Sequence, residues 1–374
     1  MTLLFDFKFS CEQIYHKCPD NMLPFSFSWL VSLRHASFGS TCSSLRVRLN
    51  VSGVCKSGTT TLFSAFAGPH PQLLFKRKEM HWWDTATFDP TKTMRRLTSD
   101  YASASKKIVQ SVRTNKRIQD QPIIVEGTPR TLWDGDSWSL DPLNAGLQLP
   151  AVLTPHKLRH VTPDVKFIVI LRDPVRRLLS DYKFFYRTGK KSSEDFHNKV
   201  VRAIAWWHSC VASYPEKRCV YGIAPPGLPA LDTDECFKKY RNNTDKCRML
   251  NEWRNNAATR LRIGLYDLFL QDWFSVFPRS QFLFLKHKEL FKNGTHLIQS
   301  HIYPFLGIPK LNEDRVERMK YILSRKKATG KGNTRIMPKT SKILQEFHAP
   351  FNARLAKTLG DEKWLFKAAA SVYH

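Results

Sequence analysis

The sequence predicts an α/β protein in which helices cover both faces of a parallel β-sheet. Short apolar runs typical of buried strands alternate with segments of helical periodicity along most of the chain. The 374 residues are 42% hydrophobic, which supports a sizeable core and excludes a wholly disordered chain. No internal repeat is visible, so we expect one α/β domain with inserted loops.

The predicted elements follow a lead-in without clear periodicity. Residues 1–45 are predicted to be a stem or poorly ordered segment, and 46–374 the folded domain. The run KFIVIL at Lys166–Leu171 is the clearest strand because it is short, apolar and β-branched, and Pro174 stands where the next helix begins. The predicted strands are 46–53, 73–75, Ile123–Glu126, Lys166–Leu171 and 281–285. The predicted helices are 60–67, 85–120, 175–186, 199–210, 251–270 and 341–359.

The charge of the chain indicates polyanionic partners. Lys and Arg number 59 against 32 Asp and Glu, which gives a net charge of +27. A surplus of this size favours nucleic acid, an anionic membrane, nucleotide phosphates, or a sulfated or phosphorylated polymer. No helix-turn-helix, zinc-finger or RNA-recognition signature is visible and the basic residues are dispersed, so nucleic acid is not the expected partner.

The cysteines indicate disulfides rather than a metal site. Four of the eight lie between 210 and 247, in a predicted insertion near 210–250, and no CxxC motif or His cluster occurs, so no zinc site is expected. Pairing Cys210 with Cys219 and Cys236 with Cys247 is the simplest of three arrangements, and it fits an oxidising compartment. Asn-x-Ser/Thr sequons compatible with that compartment stand at Asn50, Asn242 and Asn293.

No segment of the sequence reaches the roughly 18 to 20 apolar residues that span a bilayer. The nearest segment, 22–33, is interrupted by a proline and three serines, and no basic start marks a cleavable signal. Two alternatives remain: a soluble chain, or one whose true N-terminus is missing from this sequence.

The segment GVCKSGTT at 53–60 predicts a phosphate or sulfate site. It follows a predicted strand and opens a helix, where backbone N–H groups and the helix dipole favour a bound anion. An ordinary strand-to-helix turn is the alternative, but a lysine and two threonines accompany the glycines. The Walker pattern requires Lys after the second glycine. Here Lys56 precedes Gly58 and Thr59 takes the Walker lysine position, which disfavours a magnesium-dependent NTPase.

The run KSGTT resembles the 5′-phosphosulfate loop of the Golgi carbohydrate sulfotransferases, whose donor is 3′-phosphoadenosine 5′-phosphosulfate (PAPS). Those enzymes usually have Pro where Cys55 stands. The resemblance covers about 46–360 and implies the P-loop-like parallel sheet of the PAPS-dependent sulfotransferase fold, with no metal required. The donor-binding residues that it implies in this loop are Lys56, Ser57, Gly58, Thr59 and Thr60.

The segment LRDPVRRLLSDY at 171–182 resembles the 3′-phosphate motif of the same family. Arg172 and Ser180 would grip the ribose 3′-phosphate, since the guanidinium fork matches phosphate oxygens. The alternative is that Arg172 forms an ion pair with Asp173 or Asp181 on the surface.

A basic, glycine-rich segment, KATGKGNT at 327–334, resembles the late donor-binding loop of the family. Lys331, Gly332 and Asn333 would close over the adenine and the 3′-phosphate. A solvated basic linker is the alternative.

The run KEMHWWD at 78–84 resembles the acceptor segment of heparan and chondroitin sulfotransferases. Sulfuryl transfer needs a deprotonated hydroxyl in line with the sulfur and positive charge at the leaving phosphate. Glu79 is the predicted general base, Lys56 would neutralise the leaving oxygens, and His81 would hydrogen-bond the acceptor or the sulfuryl group. Trp82 and Trp83 would stack on a sugar ring.

The run EGTP at 126–129, with Trp133-Asp134 after it, resembles the E-x-[ST]-P segment of the family. It implies that Glu126 and Trp133 bind substrate. Heparan enzymes usually carry Lys where Gly127 stands. The tryptophans bring the sequence closer to the chondroitin enzyme that adds 6-sulfate to N-acetylgalactosamine 4-sulfate.

The sequence therefore predicts a PAPS-dependent glycosaminoglycan sulfotransferase. The predicted acceptor is chondroitin or dermatan sulfate, sulfated at the 6-O position of N-acetylgalactosamine 4-sulfate. The resemblance implies the Golgi lumen and a type II membrane protein whose N-terminal anchor is not visible in this chain. A heparan sulfate or other carbohydrate sulfotransferase is one alternative, and a non-catalytic protein that binds glycans or nucleic acid is another.

Overall fold

The computed structural model describes most of the chain beyond residue 46. The described residues are 47–51, 53–75, 77–83, 94–113, 122–135, 138, 141–144, 146–186, 191–221, 259–325 and 334–366. The predicted stem at 1–45 and the donor-loop residues Lys331, Gly332 and Asn333 lie outside these ranges, so they stay predictions.

Within the described residues, five apolar segments form one parallel sheet in the order β2-β3-β1-β4-β5. The central strands β1 and β4 are buried, and Phe167, Ile168, Val169, Ile170 and Leu171 are each 0% exposed. A strand that is buried on both faces has no alternating polar residues, which explains why residues 167–171 are continuously apolar. The strands are β1 (Val47–Asn50), β2 (Leu73–Leu74), β3 (Ile123–Glu126), β4 (Lys166–Leu171) and β5 (Phe282–Lys286).

Helices separate consecutive strands, and the predicted α/β fold is confirmed. The helices are α1 (Thr59–Phe66), α2 (Met94–Arg113), α3 (Thr154–Val161), α4 (Pro174–Phe185), α5 (Ser193–Ser213), α6 (Glu216–Val220), α7 (Tyr266–Val276), α8 (His287–Leu297), α9 (Tyr303–Leu306), α10 (Glu313–Ser324) and α11 (Pro338–Leu359). None of them is long and apolar enough to cross a membrane.

The core lies on both sides of β4. On one face Ile168 and Ile170 belong to an apolar cluster that includes Leu62 of α1. On the other face the Phe167 ring stacks on Phe282, with ring centroids 4.7 Å apart. Successive side chains of a strand point to opposite faces, so both layers of helices are anchored on one six-residue strand.

The predicted helix at 251–270 is wrong in its position. A 3₁₀ turn at Leu261–Gly264 precedes α7, which begins only at Tyr266, and 251–258 lies outside the described residues. The reason is packing: a Cβ on Gly264 would lie 2.9 Å from the ring of His348 and 3.1 Å from Pro174. This packing favours glycine at 264, and glycine disfavours an α-helix, so the helix begins only after it.

The predicted disulfide between Cys210 and Cys219 is confirmed. It joins the end of α5 to α6, with the Cα atoms 6.0 Å apart. Cys236 and Cys247 lie outside the described residues. A disulfide of this kind is typical of an oxidising compartment.

The imidazole of His348 on α11 creates an acid-sensitive point in the core. The side chain is 1% exposed, and neither ring nitrogen has a hydrogen-bond partner in the described part of the chain. It lines a cavity of about 280 Å³ with Asp173 and Asn352. Burial first, and the charge of Arg177 second, lower the pKa of His348 to about 3.

We expect the free energy of unfolding to fall as the pH is lowered from about 6.5 toward 3. In that pH window His348 is protonated in the unfolded chain but stays neutral in the folded protein. The free energy of unfolding therefore falls by about 2 kcal/mol between pH 7.5 and pH 5. The variant His348→Phe removes this cost, so its melting temperature should fall less over the same pH range. The exposed His160 provides the control: His160→Gln should keep the wild-type pH dependence. Equal pH dependence in His348→Phe and wild type would contradict the assignment.

Candidate active site

The loop between β1 and α1 is shaped to receive an anion. Gly53 forms a bridge to Ile170, and a Cβ there would lie 2.9 Å from Thr59 and 3.0 Å from Ile170, so only glycine fits. The loop ends at Gly58, which has a φ of 94° and begins α1 without a side-chain cap or an acidic residue in the first turn. The first N–H groups of an uncapped helix favour a bound anion.

The side chains of this loop have different surroundings. Ser57 is fully buried, and its Oγ atom has no hydrogen-bond partner among the described residues. Thr59 is buried and Thr60 is exposed. Cys55, at the position where the resembling enzymes carry Pro, is a free thiol whose pKa is raised mainly by burial. A buried hydroxyl without a partner and a row of N–H groups fit phosphate or sulfate oxygens.

Lys56 stands at the turn of the loop in a left-handed conformation, with a φ of 70°. Its side chain is half-buried, and the ammonium lies 3.7 Å from the ring centroid of Phe184 on α4. Burial lowers the pKa of Lys56, and the Asp181 carboxylate opposes that shift. The loop before the uncapped start of α1 therefore carries a cationic side chain that contacts α4.

Arg172, at the carboxyl end of β4, is bound to the same loop. Its Nη1 donates to the Lys56 carbonyl at 2.9 Å, and its own carbonyl accepts from the Tyr266 hydroxyl at 2.7 Å. Asp173 instead caps α4 by accepting from the Arg176 N–H at 2.9 Å. The surface ion pair considered as an alternative does not form, because Asp173 has this partner and the Asp181 carboxylate is occupied by other arginines.

Those other arginines join α4 to the segment before α7. Arg177 Nη1 donates to Asp181 at 2.5 Å, and Arg260 donates to the other oxygen of the same carboxylate. The network also includes a bond of 2.7 Å from Arg177 Nη2 to the Arg260 carbonyl. Ser180, the other residue predicted to bind the 3′-phosphate, is half-buried two turns into α4.

The predicted base Glu79 lies on the segment that follows β2. Its side chain is 41% exposed and forms an ion pair with Lys78, and its Oε2 lies 3.8 Å from His81 Nε2. His81 has a φ of 57°, and its N–H donates to Thr128 Oγ1 at 3.1 Å. A carboxylate, an ammonium group and an imidazole thus share one partly exposed corner.

Glu126 at the end of β3 holds this corner in place. The side chain is 0% exposed. Its carboxylate accepts from Asn50 Nδ2 at 3.1 Å, from the Met80 N–H at 3.3 Å and from the Thr128 N–H at 3.1 Å. Since both oxygens are used inside the protein, we assign Glu126 a positioning role rather than the predicted contact with substrate.

The predicted aromatic residues also separate into different environments. Trp133 is 1% exposed under the guanidinium of Arg130, and Trp83 is buried against Tyr101. Trp82 is half-buried and meets the Tyr101 ring edge-on, with centroids 5.6 Å apart. Trp82 therefore keeps exposed surface for a sugar, whereas the predicted substrate contacts of Trp83 and Trp133 do not fit their burial.

Gly127, the departure from the heparan pattern, is imposed by packing. A Cβ at this position would lie 2.6 Å from the ring of Phe63 and 3.0 Å from the Lys78 carbonyl. Any larger residue, including lysine, requires Phe63 or the segment carrying Glu79 to move.

The loop after β1 and the segment after β2 lie at one edge of the sheet. Parallel strands present their carboxyl ends at the same edge, where α/β proteins bind ligands. Lys56 follows β1 and Glu79 follows β2, and both strands pair in parallel with β3. The predicted base and the predicted donor-binding lysine therefore follow strands that end at the same edge.

Two residues of this site were missed from the sequence. His287 directly follows β5, beside Gly58, and its pKa is lowered to about 4 by burial and by Arg172 and Arg176. His287, like Arg172, directly follows a strand, and a polar residue at that position is the signal that could have identified it. Arg260 carries no such local signal. No group of three or more His, Cys, Asp or Glu side chains among the described residues is placed to hold a metal ion.

Comparison with known proteins places the chain in a family. A family model described as "Sulfotransferase domain" matches residues 48–346, and the chain belongs to the sulfotransferase family. Carbohydrate sulfotransferase 15 of Mus musculus is 32% identical over 338 residues, which cover 84% of this chain and 54% of that protein. The Homo sapiens protein of the same name is 32% identical over 331 residues, with the same coverage of 84% and 54%. The chain thus spans about half the length of these curated relatives.

Two further similarities are more distant. Heparan sulfate glucosamine 3-O-sulfotransferase 6 of Homo sapiens is 26% identical over 223 residues, which cover 56% of this chain and 51% of that protein. A crystal structure of a sulfotransferase from Alicyclobacillus acidocaldarius aligns with a TM-score of 0.49 at 16% identity, covering 85% of this chain and 98% of that chain.

Proposed function

We propose that this chain is a carbohydrate sulfotransferase that moves the sulfuryl group of PAPS to a hydroxyl of a glycosaminoglycan. One observation carries the proposal: an uncapped helix start, with Lys56 in its loop bound to Arg172, lies at the same sheet edge as the exposed carboxylate of Glu79. The similarity to carbohydrate sulfotransferase 15 supports it. PAPS is a substrate here, and no metal is required.

The donor would bind across the two strand ends. The first N–H groups of α1 would face the 5′-phosphosulfate, because the helix begins at Gly58 without a side-chain cap. The Ser57 hydroxyl, which has no hydrogen-bond partner among the described residues, would contact it as well. Arg172 and Ser180 would hold the 3′-phosphate, and the predicted loop residues Lys331, Gly332 and Asn333 would complete the site.

Arg172→Ala should raise the donor KM about 10- to 100-fold, because a charge-assisted bond of about 1.5 to 3 kcal/mol is lost. The variant also removes the bond to the Lys56 carbonyl, so the loop loosens at the same time. Arg172→Lys keeps the charge without the planar fork and should recover only part of the affinity. Titration of adenosine 3′,5′-bisphosphate measures both. Wild-type affinity in Arg172→Ala would place the 3′-phosphate elsewhere.

The transfer step is a displacement at sulfur. The acceptor oxygen forms a bond to sulfur while the bond between sulfur and the phosphate oxygen breaks, and the Glu79 carboxylate takes the hydroxyl proton. The leaving group is adenosine 3′,5′-bisphosphate, whose developing negative charge Lys56 neutralises. Glu126 contributes by fixing the backbone of Met80, which precedes His81, and of Thr128, whose hydroxyl accepts from the His81 N–H. His81 hydrogen-bonds the acceptor or the sulfuryl group.

The acceptor that we propose is chondroitin or dermatan sulfate, sulfated at the 6-O position of N-acetylgalactosamine 4-sulfate. The net charge of +27 suits a sulfated polymer. The glycine at 127, which packing against Phe63 enforces, supports the chondroitin pattern over the heparan pattern. The disulfide between Cys210 and Cys219 is compatible with the Golgi lumen, where this polymer would be met.

The experiment that tests the proposal is incubation with labelled PAPS and a panel of chondroitin, dermatan and heparan acceptors, followed by disaccharide analysis. Label at carbon 6 of 4-sulfated N-acetylgalactosamine is the expected result. Label in heparan disaccharides would assign the alternative acceptor. Retention of glycan binding without transfer to any acceptor would indicate a non-catalytic binding protein.

A further inference from the structure

The C-terminal end of α4 presents two adjacent exposed aromatic rings. Phe184 is 46% exposed and Phe185 is 45% exposed, although both are large apolar side chains. Their ring centroids are 4.7 Å apart, with the planes at 76°. We call them the phenylalanine pair. Exposed apolar area is unfavourable in water, and adjacent exposed apolar side chains mark candidate contact sites on a protein surface.

Each ring of the phenylalanine pair is in contact with a cation of the candidate site. The Lys56 ammonium lies 3.7 Å from the ring centroid of Phe184, and the Arg260 guanidinium carbon lies 3.8 Å from that of Phe185. Both distances are well within the range of a cation–π interaction. The pair therefore extends directly from the loop that is proposed to deliver the sulfuryl group.

The side chains beside the pair are cationic. Arg177 and Arg260 both donate to the carboxylate of Asp181, and the Lys56 ammonium lies over Phe184. Apolar rings beside cationic side chains match a ligand with an apolar face and an anionic substituent. A sulfated sugar has both, since the C–H groups of one ring face are apolar and the sulfate ester is anionic.

We propose that the phenylalanine pair and Arg260 form the acceptor subsite that receives the sulfated sugar ring. This inference rests on the proposed function, because it assigns the sugar of that reaction to a place on the protein. Phe185 is the platform for the ring face, and Arg260 supplies charge for the sulfate already present on the sugar. Phe184 acts differently, as a positioning residue that holds the Lys56 ammonium at the mouth of the loop.

The burial of the tryptophans limits their contact with a sugar. Trp83 and Trp133 are in the interior, and Trp82 is partly covered by Tyr101. The phenylalanine pair, by contrast, presents exposed aromatic surface in direct contact with Lys56 and Arg260. We therefore place the sulfated sugar ring on the C-terminal end of α4.

The test compares Phe185→Ala with wild type in three measurements: the Kd for a chondroitin 4-sulfate oligosaccharide without donor, the acceptor KM, and the Kd for adenosine 3′,5′-bisphosphate. We expect the first two to rise about tenfold and the third to stay unchanged, since one stacking contact of roughly 1 to 1.5 kcal/mol is lost. Phe185→Tyr keeps the ring and should restore acceptor binding. Tyr321→Ala, at a residue on α10 that is 63% exposed, is the matched control and should change none of the three.

The outcomes separate the inference from the proposed function. Transfer by wild type with the same acceptor KM in Phe185→Ala overturns the subsite and leaves the sulfotransferase activity standing. Absence of transfer by wild type to every glycan overturns both. Loss of the preference for 4-sulfated over unsulfated chondroitin in a folded Arg260→Gln variant supports the role of the Arg260 charge, and an unchanged preference overturns that role. A melting temperature equal to that of wild type shows that a variant is folded. Phe185→Leu, which keeps the apolar volume without the aromatic ring, replaces Phe185→Ala if that variant is unstable.

Discussion

Lys56→Ala should reduce kcat by about 10²- to 10³-fold, the usual cost of removing one preorganised electrostatic group from a transition state. The effect is expected on turnover because the ammonium opposes charge that develops only as the bond from sulfur to the phosphate oxygen breaks. The loop itself should persist, since Arg172 bonds to the Lys56 carbonyl, which alanine retains. Adenosine 3′,5′-bisphosphate titration, kcat and the melting temperature together measure these effects.

The control for this prediction is Lys292→Ala, which removes an exposed lysine from α8. Its kcat should equal that of wild type, which separates the local role of Lys56 from a change in overall charge. Near wild-type turnover in a folded Lys56→Ala variant would refute the leaving-group role.

Glu79→Gln should lower kcat by about 10²- to 10⁴-fold, the range in which general bases contribute. Glutamine keeps the shape of the side chain and can still accept a hydrogen bond from Lys78, but it cannot take the proton of the acceptor hydroxyl. Donor affinity should not change, because the segment that carries Glu79 is anchored by Glu126 through the Met80 N–H. Single-turnover rates with saturating donor give the direct measurement.

The matched control is Glu317→Gln on α10, whose side chain is 68% exposed and pairs with Lys320. It should leave turnover unchanged. Full turnover in Glu79→Gln, together with loss of activity in His81→Ala, would move the base to the imidazole, 3.8 Å away from the carboxylate in the structure.

The sheet and the turn after β1 could be predicted because their signals are local. A strand that is buried on both faces is continuously apolar, so Lys166–Leu171 was predicted at the bounds that the structure shows. The spacing of Gly53, Lys56 and Gly58 reflects backbone geometry within one turn, and the left-handed φ of Gly58 agrees with it. Arg172 follows a strand end, where parallel sheets place ligand-binding residues.

The acceptor side could not be predicted to the same extent because burial is decided by distant parts of the chain. The sequence does not show that Trp133 lies in the core, or that Glu126 uses both oxygens on Asn50 and backbone N–H groups. The approach of Arg260 to Phe185 joins residues that are far apart in sequence. Aromatic residues near a motif are therefore informative about chemistry but not about which of them a ligand can reach.

The carboxylate of Glu126 has a practical consequence for engineering. It ties the strand that leads into the donor loop, through Asn50, to the backbone around the proposed base. A chimera in which residues 78–83 come from another enzyme, made to redirect transfer to a new polymer, would lose these hydrogen bonds. They would be kept only if Asn50, Glu126 and Thr128 were transferred together with that segment. Swapping the recognition segment alone should misalign the two reactants and yield an inactive hybrid rather than one with altered selectivity.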